Sequence, residues 1–219
     1  MKLILIRHAQ SVRNAAFKGN HFYHDGQEKL GTPNHSLTIT EKGKDQARAV
    51  ATMLLSEIKK GEEASPSLLL HSGFIRTRET ANIIFEVLQN ESSFPVEQNH
   101  LLRERDAGHA FEMWESEARQ HFPYLESHWD FEGKWFAVPP GGESFIQVMD
   151  RVALFLQTLT VDTRHKDKTV YAVTHGGTMR AFQMVIDKVP FEKADELVLN
   201  PKNCGIVKYN YVHNVWTRT

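Results

Sequence analysis

Three short apolar runs each lead straight into reactive polar side chains, and no other feature constrains the chain as tightly. Residues 3–6 lead into Arg7-His8-Ala9-Gln10-Ser11, with Arg13 and Asn14 close behind. Residues 68–70 lead into His71-Ser72, and Arg76 stands on the first turn of the next helical pattern. Residues 169–173 lead into Thr174-His175-Gly176-Gly177. Continuous apolar runs this short suit strands buried on both faces. Helical patterns lie between them. Thr40 caps one running to about residue 59, with Ala47, Val50, Ala51, Leu54 and Leu55 at helical spacing. A second spans about 75–88. A third follows Gly141-Gly142, where Ser144 and Gln147 form a capping-box pattern, and a fourth follows Gly176-Gly177. Further strands are predicted at 205–209 and, at an edge, 211–216. Strands alternating with helices predict an α/β fold with a central, mostly parallel sheet.

In open α/β sheets, ligands bind beyond the carboxyl ends of the strands. Arg7, His8, Arg76 and His175 should therefore meet, although the first and last lie 168 positions apart in the chain. Gly176 and Gly177 add backbone N–H groups at a helix N-terminus, a natural anion site. Two guanidiniums and two imidazoles suit a phosphoryl group, because arginine forks match its oxygens and stay charged at any working pH. A histidine nitrogen is a competent nucleophile toward it. With an ordinary pKa of about 6.5, roughly three-quarters of such a histidine is neutral at pH 7.

Charge and composition exclude other classes. Lys plus Arg number 26 and Asp plus Glu 27, without the basic excess of a dedicated nucleic-acid binder. No apolar run reaches the roughly 20 residues of a membrane span, so the expectation is a soluble, cytoplasmic protein without membrane or nucleic-acid partners. Cys204 is the single cysteine, so no internal disulfide forms; the sixth residue after it is Asn210, and a cysteine phosphatase has arginine there. Walker, Rossmann, HExxH and GxSxG motifs are missing. His21, His24 and His35 lie in a long loop, 15–37, without a carboxylate–histidine constellation, so no metal is expected there. Residues 105–140 carry eight aromatics, from Phe111 to Phe136. They form either an insert with its own small core or a lid lining a substrate pocket.

These residues fall into blocks that resemble the histidine phosphatase superfamily, in its phosphoglycerate-mutase-like branch. The opening Arg-His-Gly-Glu-Ser motif with a following Asn is similar to Arg7–Ser11 with Asn14. The Thr-x-x-Gly start of the first long helix is similar to Thr40-Glu41-Lys42-Gly43. Ser72, Arg76, Thr80 and Ala81 match a Ser-x-x-x-Arg-x-x-x-Thr-Ala motif, and Glu104-Arg105-Asp106-Ala107-Gly108 matches Glu-Arg-x-x-Gly. Pro140-Gly141-Gly142-Glu143-Ser144 and Thr174-His175-Gly176-Gly177 complete the series in family order.

The resemblance implies a three-layer α/β/α domain over 1–219, with 105–140 as insert. It implies a phosphomonoester hydrolase that works without metal or cofactor. His8 would be phosphorylated, Arg7, Arg76 and His175 would hold the phosphoryl oxygens, and Glu104 would be proton donor and then base. Ser11, Asn14 and Gly176 are candidates to bind the phosphate or substrate, a small phosphorylated metabolite. Ala9 replaces glycine, so its methyl must fit beside the phosphate loop; Gln10 replaces glutamate, leaving the pocket less negative; Gly73 replaces proline or aspartate. The insert lacks an Arg-Arg pair and reads as aromatic rather than basic, which favours a bulkier, partly apolar phosphoester over glycerate phosphate transfer. A phosphomutase, or a module that recognises phosphate without turnover, are the alternatives.

Overall fold

The computed structural model describes residues 1–17 and 23–219. Its six strands are β1 (Lys2–Arg7), β2 (Leu68–His71), β3 (Val96–Gln98), β4 (Thr169–Thr174), β5 (Ile206–Val212) and β6 (Val215–Arg218). They form one sheet in the order β3-β2-β4-β1-β5-β6. The first four are mutually parallel, β5 is antiparallel to β1, and β6 is antiparallel to β5. The helices are α1 (Val12–Ala16), α2 (Glu41–Lys59), α3 (Ile75–Leu88), α4 (Glu115–His121), α5 (Leu125–Phe136), α6 (Phe145–Val161), α7 (Gly176–Ile186) and α8 (Ala194–Leu197).

Side chains alternate across a strand, and here both sets are apolar. Leu3, Leu5, Val170 and Ala172 pack on one face with Phe155 of α6 and Phe182 of α7. Ile4, Ile6, Tyr171 and Val173 pack on the other with Leu54 of α2 and Ile84 of α3. The result is the three-layer α/β/α arrangement, with β1 and β4 enclosed at its centre. No helix among the described residues is long and apolar enough to cross a membrane.

The structure departs from the predicted elements in three ways. The helices α1, α4, α5 and α8 lie outside the four predicted helical patterns. β3 is a three-residue edge strand without an apolar run, so nothing in its sequence announces it. The strand predicted at 211–216 is instead the end of β5, a two-residue turn and the start of β6. His213 and Asn214 both have positive φ, 50° and 62°, which fits the tight turn of a two-residue hairpin. The 15–37 segment begins inside α1 and, where described, holds an isolated bridge from Tyr23 to Trp114 and a short 3₁₀ turn at Asn34–Ser36. His21 lies outside the described residues.

Residues 105–140 contribute to two features of the fold. Ala110, Ala118 and Leu125 make a small core with Met113, Phe122 and Trp129. Phe111, Trp129 and Trp135 line the large cavity above the sheet.

Candidate active site

β1 and β4 are paired with Arg7 opposite Thr174, so the residues that follow, His8 and His175, fall next to each other. The ladder continues one step further, with the His8 N–H donating to the Thr174 carbonyl at 2.8 Å. The two imidazoles meet edge to face, 5.1 Å between ring centres. The chain leaves β1 toward α2 on one face and leaves β4 into α7 on the other, so the site lies at the switch point of the sheet. Above it opens a cavity of about 820 Å³ whose lining includes Arg7, His8, Ser11, Asn14, Arg76, Glu104 and Gly176. His175 stands directly behind this lining, fully buried against His8.

Hydrogen bonds fix the tautomers. His8 Nδ1 is 2.7 Å from the Ala9 carbonyl, which can only accept, so Nδ1 carries the proton and Nε2 keeps its lone pair. For His175 the chain of donors ends at the Phe74 carbonyl, which accepts from the Thr77 hydroxyl at 2.7 Å. Thr77 in turn accepts from Ser72 Oγ at 2.8 Å, and Ser72 Oγ accepts from His175 Nε2 at 2.8 Å. Neutral His175 therefore has an unprotonated Nδ1. That atom is buried without a hydrogen-bond partner among the described residues, as is Nε of Arg7.

Burial, then the Arg76 guanidinium, hold His8 well below the usual histidine range; the Ala9 carbonyl opposes them and Arg7 adds to them. Burial, then Arg76, His8, Arg151 and Arg7, do the same to His175. Both rings are neutral at pH 7. Arg76 is itself desolvated to a pKa of about 10, with Glu104 opposing the shift. One of its Nη atoms donates to the Asn34 carbonyl, and one of Arg7's donates to Pro201, each at 2.6 Å.

An anion placed against His175 Nδ1 would need a donor there, and the neutral ring offers only a lone pair. Binding of sulfate, which has no titratable proton near neutrality, should therefore take up close to one proton. Because the anion raises a depressed pKa, affinity should rise as the pH falls from 8 to 6. Calorimetry in two buffers of different ionisation enthalpy reads the uptake, and His175→Gln should abolish it. Uptake near zero in the wild type would contradict the tautomer assignment.

Glu104 is held against the N-terminus of α7. The Gly177 N–H donates to Glu104 Oε2 at 3.2 Å, and the Arg105 N–H to Oε1 at 3.0 Å. Two threonines fix the segment before it: Thr174 Oγ1 donates to Leu102 O and Thr178 Oγ1 to Arg103 O, both at 2.7 Å. A Cβ on Gly177 would stand 2.5 Å from Glu104 Oε1, so the carboxylate would have to swing away from the helix end. Glu143 braces the same segment through Arg103 at 2.5 Å and Arg151 at 3.1 Å.

Asn14 and Ser11 form a reciprocal cap at the start of α1. Asn14 Oδ1 also accepts from Asn203 Nδ2, which donates a second bond to the His8 carbonyl. Gly176 opens α7 against the Arg7 guanidinium, where a Cβ would stand 3.3 Å from Cζ.

Three expectations need correction. The Gln10 side chain does not face the cavity; its Oε1 accepts from Thr40 at 2.9 Å, so it leaves the pocket's charge unchanged. The Ala9 methyl packs with Ile39 and Ala47, outside the cavity lining. The cavity wall is basic as well as aromatic, because Arg13, Arg105, Lys134 and Arg180 join the two expected arginines. Arg105 and Lys134 come from the insert itself. Arg180 had a usable signal, since it follows Gly177 by three residues on one helix face. Asn203, from the loop before β5, had none.

The paired ends of β1 and β4 bring two neutral imidazoles beside the guanidiniums of Arg7 and buried Arg76 and the Glu104 carboxylate, an arrangement whose chemistry suits a phosphoryl group. The chain belongs to the histidine phosphatase superfamily: the family model for its branch 1 matches residues 3–218. It is 26% identical over 198 residues to the 2,3-bisphosphoglycerate-dependent phosphoglycerate mutase of Parvibaculum lavamentivorans, covering 90% of this chain and 84% of that one. It is 28% identical over 185 residues to a metal-independent phosphoserine phosphatase of Arabidopsis thaliana, covering 84% of this chain and 68% of that one. The fold is similar to that of the α-ribazole phosphatase of Shigella flexneri, with a TM-score of 0.74 at 21% identity, covering all of this chain and 95% of that one. Phosphatases and mutases thus both stand among the relatives.

Proposed function

We propose that the protein hydrolyses a phosphomonoester through a phosphohistidine on His8, without a metal. The observation that carries this is the His8 tautomer. Its Nδ1–H is tied to the Ala9 carbonyl, which leaves the Nε2 lone pair to attack in a cavity floored by guanidiniums.

In the first step His8 Nε2 forms a bond to phosphorus while the bond to the alcohol oxygen breaks. Glu104 gives its proton to that oxygen, and the alcohol leaves. In the second step Glu104 takes a proton from water, the water oxygen bonds to phosphorus, and the phosphorus–nitrogen bond breaks. Inorganic phosphate leaves and His8 is neutral again. Arg7, Arg76 and protonated His175 hold the phosphoryl oxygens throughout and stabilise the charge that builds up on them. Asn14 and the Gly176 N–H bind on the same side, and Ser11 acts through Asn14 as its cap.

The test uses EDTA-treated protein with phenyl phosphate between pH 5 and 8. Phosphate release, with an alkali-stable phosphoryl adduct on the peptide containing His8, is the expected result. The mutase relatives support a second reading, phosphoryl transfer between hydroxyls. Isomerisation of 3-phosphoglycerate faster than phosphate release would favour it. Phosphate binding with neither turnover nor adduct would leave a recognition module.

A further inference from the structure

The loop between α8 and β5 carries no motif, yet it reaches three residues of the candidate site. It is fixed at both ends. Gln183 of α7 is fully buried; its Nε2 donates to the Leu199 carbonyl and its Oε1 accepts from the Leu199 N–H, each at 2.9 Å. At the other end the Gly205 N–H closes a tight turn on the Lys202 carbonyl at 2.7 Å. Cys204 holds a φ of 59° in that turn, a left-handed conformation that persists only where the surroundings over-determine it. Between the two ends the Pro201 carbonyl accepts from Arg7 Nη1 at 2.6 Å, and the Cys204 N–H donates to the Arg7 carbonyl at 3.0 Å. Asn203 Nδ2 has two hydrogens and uses both, on the His8 carbonyl at 3.0 Å and on Asn14 Oδ1 at 3.1 Å. Two backbone groups settle which way both amides face. The His8 carbonyl can only accept, so the end of Asn203 against it is Nδ2. The Ser11 N–H can only donate, and it meets Asn14 Oδ1 at 3.2 Å. Ser11 Oγ donates to the same oxygen at 3.1 Å. Asn14 Nδ2 makes no hydrogen bond among the described residues, and Asn14 lines the cavity, so its two N–H groups are what it offers an anion. Asn203 lines the cavity too, but with both hydrogens spent it has only an acceptor left, which cannot hold a phosphoryl oxygen.

We propose that Asn203 is a positioning residue: it ties Asn14 Oδ1 and the His8 carbonyl to one fixed loop, so that the Asn14 N–H groups stay aimed at the phosphoryl group. The proposal rests on the phosphoryl reading of the site above and assigns the aim of one donor to a side chain 189 positions away in the chain. The physical gain is preorganisation. A donor already held in place has no rotamer freedom to lose when the anion arrives, and it needs no reorientation as charge builds up. The same loop holds the Arg7 guanidinium through Pro201, so the amide and the guanidinium are set against one frame.

The experiment measures binding of inorganic phosphate by calorimetry to the wild type, Asn14→Ala, Asn203→Ala and the double variant. Each single change should weaken binding about tenfold, the scale of one hydrogen bond to a charged group. The double variant should stay within about twofold of Asn14→Ala alone, because Asn203 then has nothing left to aim. Losses that multiply in the double variant would mean that Asn203 acts on the anion by itself, and wild-type affinity in either single variant would break the chain from Asn203 through Asn14. Either result overturns the proposal and leaves the phosphoryl reading standing, whereas a wild type that binds no phosphate overturns both. A second measurement needs no folded Asn203 variant. In wild-type protein with isotope-labelled asparagine, the Asn203 side-chain hydrogens should exchange slowly with water before any anion is added. Those of Asn14, identified by their loss in Asn14→Ala, should slow at least about tenfold only when phosphate is present. Asn203 hydrogens that exchange as fast as those of an exposed asparagine would remove the two bonds on which the proposal stands.

Discussion

Replacing His8 with alanine should lower kcat/KM for phenyl phosphate by at least about 10⁴-fold, the scale on which losing a nucleophile acts in other covalent enzymes. The Ala9 carbonyl would lose its donor, His8 Nδ1, while the Asn203 bond to the residue 8 carbonyl does not involve the side chain. Arginines alone still attract the ester, so KM should change far less than kcat. Phosphate release and the thermal midpoint would be measured on the same preparation. A folded His8→Ala protein that keeps a tenth of the activity would remove His8 as nucleophile and require Glu104 or water to attack directly.

Arg76→Met should give a protein that is inactive and more stable when nothing is bound. Arg76 is buried, and its pKa is drawn down to about 10 by desolvation. A pKa below the unfolded value means that the charged form is disfavoured by folding. The shift corresponds to a cost on the order of 3 kcal/mol. Methionine removes that charge and fills most of the same volume, and such replacements of buried ions are often neutral or stabilising. Against this, the Asn34 carbonyl loses its donor at about 1 kcal/mol. The net expectation is a thermal midpoint raised by a few degrees in plain buffer, with the stabilisation by added phosphate largely lost. Activity should fall about 10³-fold, the effect of removing one fixed donor from the developing charge. A variant less stable than wild type in plain buffer would show that Arg76 is held by more than its solvation cost.

The core of the site was legible because sequence order and sheet order cooperate. Each central strand ends in its own reactive group, so recognising three buried runs was enough to bring Arg7, His8, Arg76 and His175 together. Side-chain direction was less legible. Gln10 was expected in the pocket, yet its amide turns to the cap of α2 because Thr40 offers it a hydroxyl there. Most of the basic wall was invisible because Arg13, Arg105 and Lys134 come from separate elements and each reads alone as an ordinary surface charge; only Arg180 carried a signal, its spacing from Gly177. β3 escaped notice because its pairing with β2, rather than any apolar pattern, makes it a strand. Gly73, met as a departure, has a reason particular to this chain. Its φ is +91°, and a Cβ there would come within 2.7 Å of the Gln98 side chain.

The spacing of the two imidazoles has a wider consequence. Their 5.1 Å separation is close to the interval between neighbouring strands, roughly 4.8 Å, because each ring is the first residue beyond one of two paired strands. The sheet serves as the ruler between the two rings, and its graduation is set by backbone hydrogen bonds that every amino acid makes alike. Under the proposed hydrolysis, loops and insert can drift in sequence, and with them the choice of alcohol, while the distance between the two imidazoles stays the same.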